Sequence, residues 1–350
     1  MPFAPASLTD LFNAKFDTVI DVRAPIEYSE DCVPGAVNMP VLSDAERVDV
    51  GTIYKQESAF RARKLGAALV ARNAASHIER HMVDFDGSWQ PLVYCWRGGQ
   101  RSGSFATILS QIGWRVQTLE GGYRTYRRLI VDALYDKEFP APVILLDGNT
   151  GTGKTEVLRR IGKLGIQVLD LEGIANHRGS VLGHQGRQPS QKAFETRLAH
   201  WICGLDAKKP VIIEAESSRI GQLNIPPEIL RAMKSARRIR IAAPVDERAK
   251  YLVKDYSDAL ADRSAVADRL DGLTALRGRA LVETWQKGVV TGSFRDVAKS
   301  LIENHYDPSY AKARGRHEYA PIKTVTAEHL DDEGLNRLAE QVADTVNSGE

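Results

Sequence analysis

Hydrophobic positions along the chain fall into two recurring patterns. Short unbroken apolar runs bounded by turn residues predict buried strands, and apolar residues recurring every three to four positions predict helices. From Phe16 to Arg128 the two alternate. "DTVIDVR" (17–23), "QPLVYCW" (90–96) and "VQTLEGG" (116–122) have the strand pattern, while 59–82 and "SGSFATILSQIGW" (102–114) have helical spacing. Such alternation predicts a parallel-sheet α/β domain.

A second series begins after "YDKEFPAP" (135–142), whose prolines and mixed charges have the composition of a linker. "VILLDG" (143–148) is a buried strand running into a glycine-rich turn, and "EVLRRIGKLG" (156–165) is helical. "QKAFETRLAHWICGL" (191–205) puts Phe194, Leu198, Trp201, Ile202 and Leu205 on one helical face, and "KKPVIIEAESS" (208–218) is the next strand. From about residue 246 the pattern is mostly helical and charged, and "QVADTVNSGE" (341–350) reads as a fading tail. Two domains are expected, 1–137 and 138–350, both α/β, with a helical C-terminal part. A length of 350 residues agrees with two cores.

Composition narrows the class. Hydrophobic residues at 43% and charged residues at 26% are those of a soluble globular protein. Cys32, Cys95 and Cys203 are odd in number and far apart, which excludes a disulfide framework and a paired zinc motif and suggests a reducing compartment. No apolar run reaches membrane-span length, and "MPFAPASLTD" lacks the basic start and apolar stretch of a signal peptide. A cytoplasmic protein without membrane association is expected. The net charge of +2 does not by itself imply a nucleic-acid partner. Local basic clusters do occur, "YRTYRR" (123–128) and "RAMKSARRIR" (231–240).

In "YCWRGGQRSG" (94–103) the strand delivers Cys95 into a loop of glycines and cations, with Arg97 near it, Arg101 closing the loop and a helix starting near Ser102. Such a loop can turn its N–H groups inward as an anion nest, and that setting favours the thiolate. The competing reading is a buried structural cysteine at a strand end. Two chemistries use Cys-x5-Arg loops: phosphatases and rhodanese-type sulfurtransferases. The flanking segments separate them. "DTVIDVRAPIEYSEDCVPGAVNMP" (17–40) resembles the opening of rhodanese domains and "LEGGYRTYR" (119–127) their closing segment. The resemblance covers about residues 9 to 128 and implies a rhodanese-like fold for the first domain. Cys32 and Cys203 have no cationic, glycine-rich surroundings.

"GNTGTGKT" (148–155) satisfies G-x-x-x-x-G-K-[ST] between a strand and a helix. Gly148, Gly151 and Gly153 let the backbone wrap phosphate oxygens, Lys154 supplies charge, and Thr155 can hold Mg²⁺. A P-loop NTPase-like domain follows, with a phosphate or diphosphate ligand. Glu214 and Glu216, after the next strand, either orient a metal or its water or are a solvated strand end. In the polar loop 176–190, His177, Arg178, His184 and Arg187 are candidates for substrate contact, or are solvated loop residues.

A rhodanese-like domain followed by a phosphate-loop domain resembles the tRNA 2-selenouridine synthase family. "NHRGS" (176–180), "QPSQKAFE" (188–195), "IEAESSRIG" (213–221) and "HYDPSY" (305–310) are similar to segments of that family in the same order. The resemblance implies a substrate tRNA with 2-thiouridine at the wobble position. Its sulfur would be geranylated from geranyl diphosphate and then replaced by selenium from selenophosphate, which an upstream enzyme supplies. It implies that Cys95 carries or delivers selenium, as through a Cys–Se adduct, with Arg97, Arg101 and Ser102 in support, and that the phosphate loop holds the diphosphate. The same loop can hold ATP. Arg124, Arg127, Arg128, Arg237, Arg238 and "KARGRHEY" (312–319) are candidate tRNA phosphate contacts, or solvated helix faces. No tightly bound cofactor and a monomer are expected. Nothing in the sequence locates a pocket for the geranyl chain. Two other functions remain at this point: an ATP-dependent phosphotransferase with a rhodanese sulfur relay, and an RNA- or nucleotide-binding module with an inert Cys95.

Overall fold

Strands covered on both faces are continuous apolar runs, and that is what "PLVY", "VILLDG" and "VIIE" become in a computed structural model that describes residues 2–177, 187–314 and 321–348. The chain divides into two units, Met1–Glu138 with Pro189–Gly204, and Phe139–Gln188 with Leu205–Glu350.

The first unit holds a parallel sheet of β1 (Pro2–Phe3), β2 (Thr18–Asp21), β3 (Val37–Asn38), β4 (Pro91–Tyr94) and β5 (Gln117–Leu119). Their order is β1-β5-β4-β2-β3, so β4 is central. Ile20 pairs with Val93 and Asp21 with Tyr94, which brings the C-terminal ends of β2 and β4 level. The helices Ala59–His81 and Gln100–Ile112 contribute Val70, Ala74, Phe105 and Leu109 to a core with Ile20 and Val93. The rhodanese-like, parallel-sheet character expected for this part is what the structure has.

The helix Gln191–Cys203 was expected in the second domain, and the structure places it in the first unit. Its period identifies an apolar face but not the sheet that receives it. Buried polar groups make that choice. The Thr196 hydroxyl donates to Asp31 Oδ2 at 3.0 Å, and Tyr123 donates to the same oxygen at 2.7 Å. Tyr126 donates to Thr196 Oγ1 at 3.2 Å, while buried Glu195 accepts from Tyr135 at 2.7 Å and is ion-paired with Arg127.

The second unit holds β6 (Val143–Gly148), β7 (Gln167–Leu169), β8 (Val211–Glu214), β11 (Arg237–Ala242) and β12 (Lys323–Thr326) in a parallel sheet of order β12-β11-β6-β8-β7. A separate antiparallel ribbon pairs β9 (Arg219–Ile220) with β10 (Leu223–Asn224). Val157, Leu158 and Ile161 of the helix Lys154–Lys163 pack on the sheet with Leu335, Leu338, Val342 and Val346. Those last four belong to the helix Asp332–Asn347, so the expected tail from 341 is largely a core helix. Apart from buried Thr345, its polar residues face outward, and Val342 and Val346, one turn apart, are buried. The helices between residues 245 and 306 gather a second apolar cluster around Val266, Leu270, Val289 and Leu301, which is the helical part expected from the sequence.

Candidate active sites

Cys95 is the first residue beyond β4, buried at the base of an open pocket of about 530 Å³ lined by Trp96, Arg97, Arg101, Glu27 and Arg47. The next helix begins at Gln100, so the thiol faces its N-terminus. Ser102 Oγ lies 3.2 Å from Cys95 Sγ and is the donor there. Burial pushes the thiol up. The Ser102 hydroxyl, the backbone N–H groups of Ser102 and Arg97, and the Arg101 charge outweigh burial and leave it below its ordinary value. A buried structural cysteine lacks these partners. The other two thiols run the opposite way, since burial raises both Cys32 and Cys203.

The closing segment of this unit clasps the loop. Tyr123 N–H donates to Cys95 O at 2.8 Å and Arg124 N–H to Trp96 O at 3.1 Å, while the Trp96 and Tyr123 rings stack at 5.2 Å. Gly122 permits this approach. Its φ is +61°, and a Cβ there would stand 2.3 Å from Cys95 O and 2.5 Å from Gly98 N. Arg101 is held through Nη1 to Glu27 Oε2 at 2.9 Å, and the same oxygen takes Arg47 Nε at 3.1 Å. Burial would raise the Glu27 carboxyl, but Arg101 and Arg47 bring it below its usual range. Sequence reasoning missed Glu27 as a partner of Arg101, because nothing local links positions 74 residues apart.

In the second unit the phosphate loop joins β6 to the helix Lys154–Lys163. Lys154 Nζ donates to Gly148 O at 2.9 Å. Burial would lower its pKa, yet Tyr310, Glu216, Glu214 and Glu172 raise it, so the amine is held as ammonium. The loop is braced from behind. Arg248 donates through Nε and Nη2 to Thr150 O at 3.0 and 2.8 Å, and through Nη1 and Nη2 to the Asp307 carboxylate at 2.8 and 2.7 Å. Asp307 also takes Asn149 Nδ2 at 2.8 Å. "HYDPSY" thereby acquires a role, with Asp307 fixing the loop and Tyr310 lining its cleft. Gly151, at φ +84°, lies so close that a Cβ would meet Arg248 O at 2.9 Å.

Glu214 ends β8, fully buried, and its Oε2 accepts from Thr155 Oγ1 at 2.8 Å. Glu172, in the short helix Leu171–Ala175, takes the same hydroxyl at 3.2 Å. One ligand oxygen each from Glu172, Glu214 and Glu216 lies within 4.8 Å of the others. Burial and mutual repulsion raise Glu214 well above the carboxylate range and push Glu216 up to about 7. Glu214 Oε1 is buried with no hydrogen-bond donor among the described residues. Three carboxylates and a hydroxyl are hard oxygen donors, and an orphaned acceptor among them fits a divalent cation such as Mg²⁺. The solvated strand end considered for Glu214 is ruled out by its burial. Glu172 was missed because the acid comes from a different strand end.

The remaining candidates scatter. His177 is buried rather than solvated, Arg187 is exposed, and Arg178 and His184 lie outside the described residues, as does most of 312–319. Arg124 and Arg128 are exposed on the helix Tyr123–Val131, whereas Arg127 is committed to Glu195. Arg237 and Arg238 lie on β11, beside β6, and not on a helix face.

Residues 4–129 match the rhodanese-like domain family, and residues 141–277 match the family described as tRNA 2-selenouridine synthase AAA domain. A tRNA 2-selenouridine synthase of Pseudomonas syringae pv. syringae (strain B728a) is 31% identical over 91% of this chain and 95% of that protein. The chain belongs to the tRNA 2-selenouridine synthase family. Family members from Pseudomonas syringae pv. tomato (33% identical, covering 87% of this chain and 90% of that one) and Psychromonas ingrahamii (30%, 83% and 86%) agree. Cys95 and the phosphate loop each fall inside one of the two matched domains.

Proposed function

We propose that this chain is a tRNA-modifying enzyme that converts wobble-position 2-thiouridine to 2-selenouridine in two transfers. In the first, the thiocarbonyl sulfur attacks C1 of geranyl diphosphate, the C–O bond breaks, diphosphate leaves and the base loses its N3 proton. Alkylation turns sulfur into a leaving group and makes C2 more electrophilic. In the second, selenium adds to C2, the C2–S bond breaks, geranylthiolate leaves, and water takes the phosphoryl group off selenium as phosphate. The observation that carries this reading is the pairing, within one family member, of a thiolate-favouring Cys95 loop with a braced phosphate loop.

In the first transfer Lys154 and the N–H groups of Gly148 to Thr155 bind the diphosphate and stabilise the charge it gains on leaving. Glu172, Glu214, Glu216 and Thr155 are the residues that would hold Mg²⁺, whose chemistry is to neutralise diphosphate oxygens. In the second, the loop N–H groups hold the selenophosphate anion beside the Cys95 thiolate, with Arg97 and Arg101 supplying charge. A Cys–Se adduct formed directly from selenophosphate would have to expel phosphite, so we assign Cys95 to delivery without that bond. Exposed Arg124, Arg128 and Arg237 are the proposed tRNA phosphate contacts. We place the enzyme in the cytoplasm, as a monomer downstream of an enzyme that makes selenophosphate; no helix among the described residues is long and apolar enough to cross a membrane.

The test is mass spectrometry of nucleosides from 2-thiouridine-containing tRNA incubated with geranyl diphosphate and then selenophosphate. Wild type should yield the geranylated and then the selenated nucleoside, Cys95→Ala should stop at the geranylated one, and Lys154→Ala should form neither. Unchanged tRNA with wild type, alongside magnesium-dependent ATP turnover, would replace this reading by the phosphotransferase one.

A further inference from the structure

Beside the phosphate loop the second unit carries a cavity of a different character. It is a narrow space of about 50 Å³, half open to solvent, walled by Leu252, Tyr256, Val266, Val289, Phe294 and Leu301, with Thr150 also on its lining. Thr150, Leu252 and Tyr256 also line the polar cleft that contains Lys154, Thr155 and Glu172. The two spaces therefore adjoin at these three residues, with the apolar one beside the phosphate loop.

We propose that this cavity takes the hydrocarbon chain of the prenyl donor, so that Thr150 marks the junction between diphosphate and isoprenoid. The assignment rests on the geranyl diphosphate reading above and supplies the chain site that the sequence does not locate. Three observations support it. The walls are aliphatic and aromatic, which suits hydrocarbon; a nucleobase would need donors and acceptors along its edge, and the walls offer only the hydroxyls of Thr150, Tyr256 and Tyr306. The cavity is lined from the helices Val245–Asp255, Arg279–Thr291 and Phe294–Leu301, the last two of which contribute to an apolar cluster apart from the sheet core. Finally, Arg248 and Leu252, one helical turn apart, respectively brace the loop and wall the cavity, so one helix positions both subsites.

The experiment is titration calorimetry on the full chain with inorganic diphosphate, dimethylallyl diphosphate and geranyl diphosphate, for wild type and Leu260→Trp. Leu260 is half-buried on the cavity wall, so an indole there fills space with little disturbance of the core. In wild type, the five extra carbons of geranyl over dimethylallyl diphosphate should tighten binding by about a hundredfold, with a negative heat-capacity change. Leu260→Trp should reduce geranyl diphosphate affinity at least about tenfold and leave inorganic diphosphate unchanged, the latter showing an intact fold. Tight geranyl diphosphate binding that Leu260→Trp does not alter overturns the cavity assignment alone. Wild type that binds geranyl diphosphate no better than inorganic diphosphate overturns both the cavity assignment and the prenyl-donor reading. Leu260→Trp that loses inorganic diphosphate as well is replaced by Phe294→Leu, which enlarges the cavity and should loosen only the prenyl ligands; equal affinity there also overturns the cavity assignment.

Discussion

The backbone N–H of Tyr123 donates to the carbonyl of Cys95 at 2.8 Å. The reactive loop is thus closed by a segment 28 residues downstream, and its shape depends on Gly122 immediately before the donor.

Gly122→Ala should therefore disable the loop without touching the thiol. A Cβ at φ +61° is strained and collides with Cys95 O and Gly98 N. The first unit should lose about 1–3 kcal/mol on denaturant unfolding. Nucleoside mass spectrometry should show selenation reduced far more than geranylation.

Thiol titration offers a second check. Because Cys95 is held below its ordinary value, its thiolate is populated at lower pH, and its alkylation rate should level off below the midpoint of about 8.5 for a free cysteine. Cys203, raised by burial, should level off above it. Ser102→Ala removes the hydroxyl donor and should move the Cys95 midpoint upward, slowing alkylation at neutral pH several-fold. Peptide-resolved iodoacetamide labelling across pH reads all three; an unmoved Cys95 profile in Ser102→Ala would show that the hydroxyl does not set the thiol.

Cation binding at the Glu172, Glu214 and Glu216 cluster should stabilise the second unit. At a Mg²⁺ concentration a hundredfold above its dissociation constant, the gain is about 2.7 kcal/mol. Glu214→Gln should lose most of that gain while being close to neutral without Mg²⁺, since burial already disfavours the charged form of Glu214 and its Oε1 has no hydrogen-bond donor among the described residues. Thermal unfolding with and without Mg²⁺ decides it, and equal Mg²⁺ gains in both proteins would exclude Glu214 as a ligand.

Arg248→Met should release the phosphate loop. It frees Thr150 O and leaves Asp307 with Asn149, so the loss lies toward the lower end of the about 3–5 kcal/mol for breaking a buried pair, the Asp307 side chain being 30% exposed. Calorimetry should show weakened diphosphate binding even though no atom of Arg248 belongs to the loop itself. Asp307→Asn, which keeps an acceptor, should be milder.

Thr196→Val should lower the stability of the first unit by about 1–2 kcal/mol, because Asp31 loses one of its two hydroxyl donors in a buried setting. A full-chain denaturant series that shows no change in that unit's transition would argue against the seat assigned to the 191–203 helix.

What the sequence made legible was local. "PLVY" followed by cysteine, and "VILLD" followed by "GNTGTGKT", each contain in one stretch the strand, the turn and the reactive group. What stayed hidden depends on which strands become neighbours. Glu172 joins Glu214 only because β7 pairs with β8, and Glu27 meets Arg101 only because β2 pairs with β4. The 191–203 helix illustrates the same point: its period gives an apolar face, and buried Glu195 and Thr196, unremarkable in a linear reading, decide where that face goes. Residues 341–347 were obscured by polar composition, although Val342 and Val346 have the helical interval.

The return of that helix has a consequence for how the chain can be divided. The polypeptide leaves the first unit at Glu138, comes back at Pro189 and leaves again after Gly204. A fragment that stops at the first of those crossings lacks the helix on which Asp31 and Arg127 depend. Cutting the chain at Glu138 would therefore take from the first unit the Thr196 donor of Asp31 and the Glu195 partner of Arg127, so that unit is not severable at its first crossing.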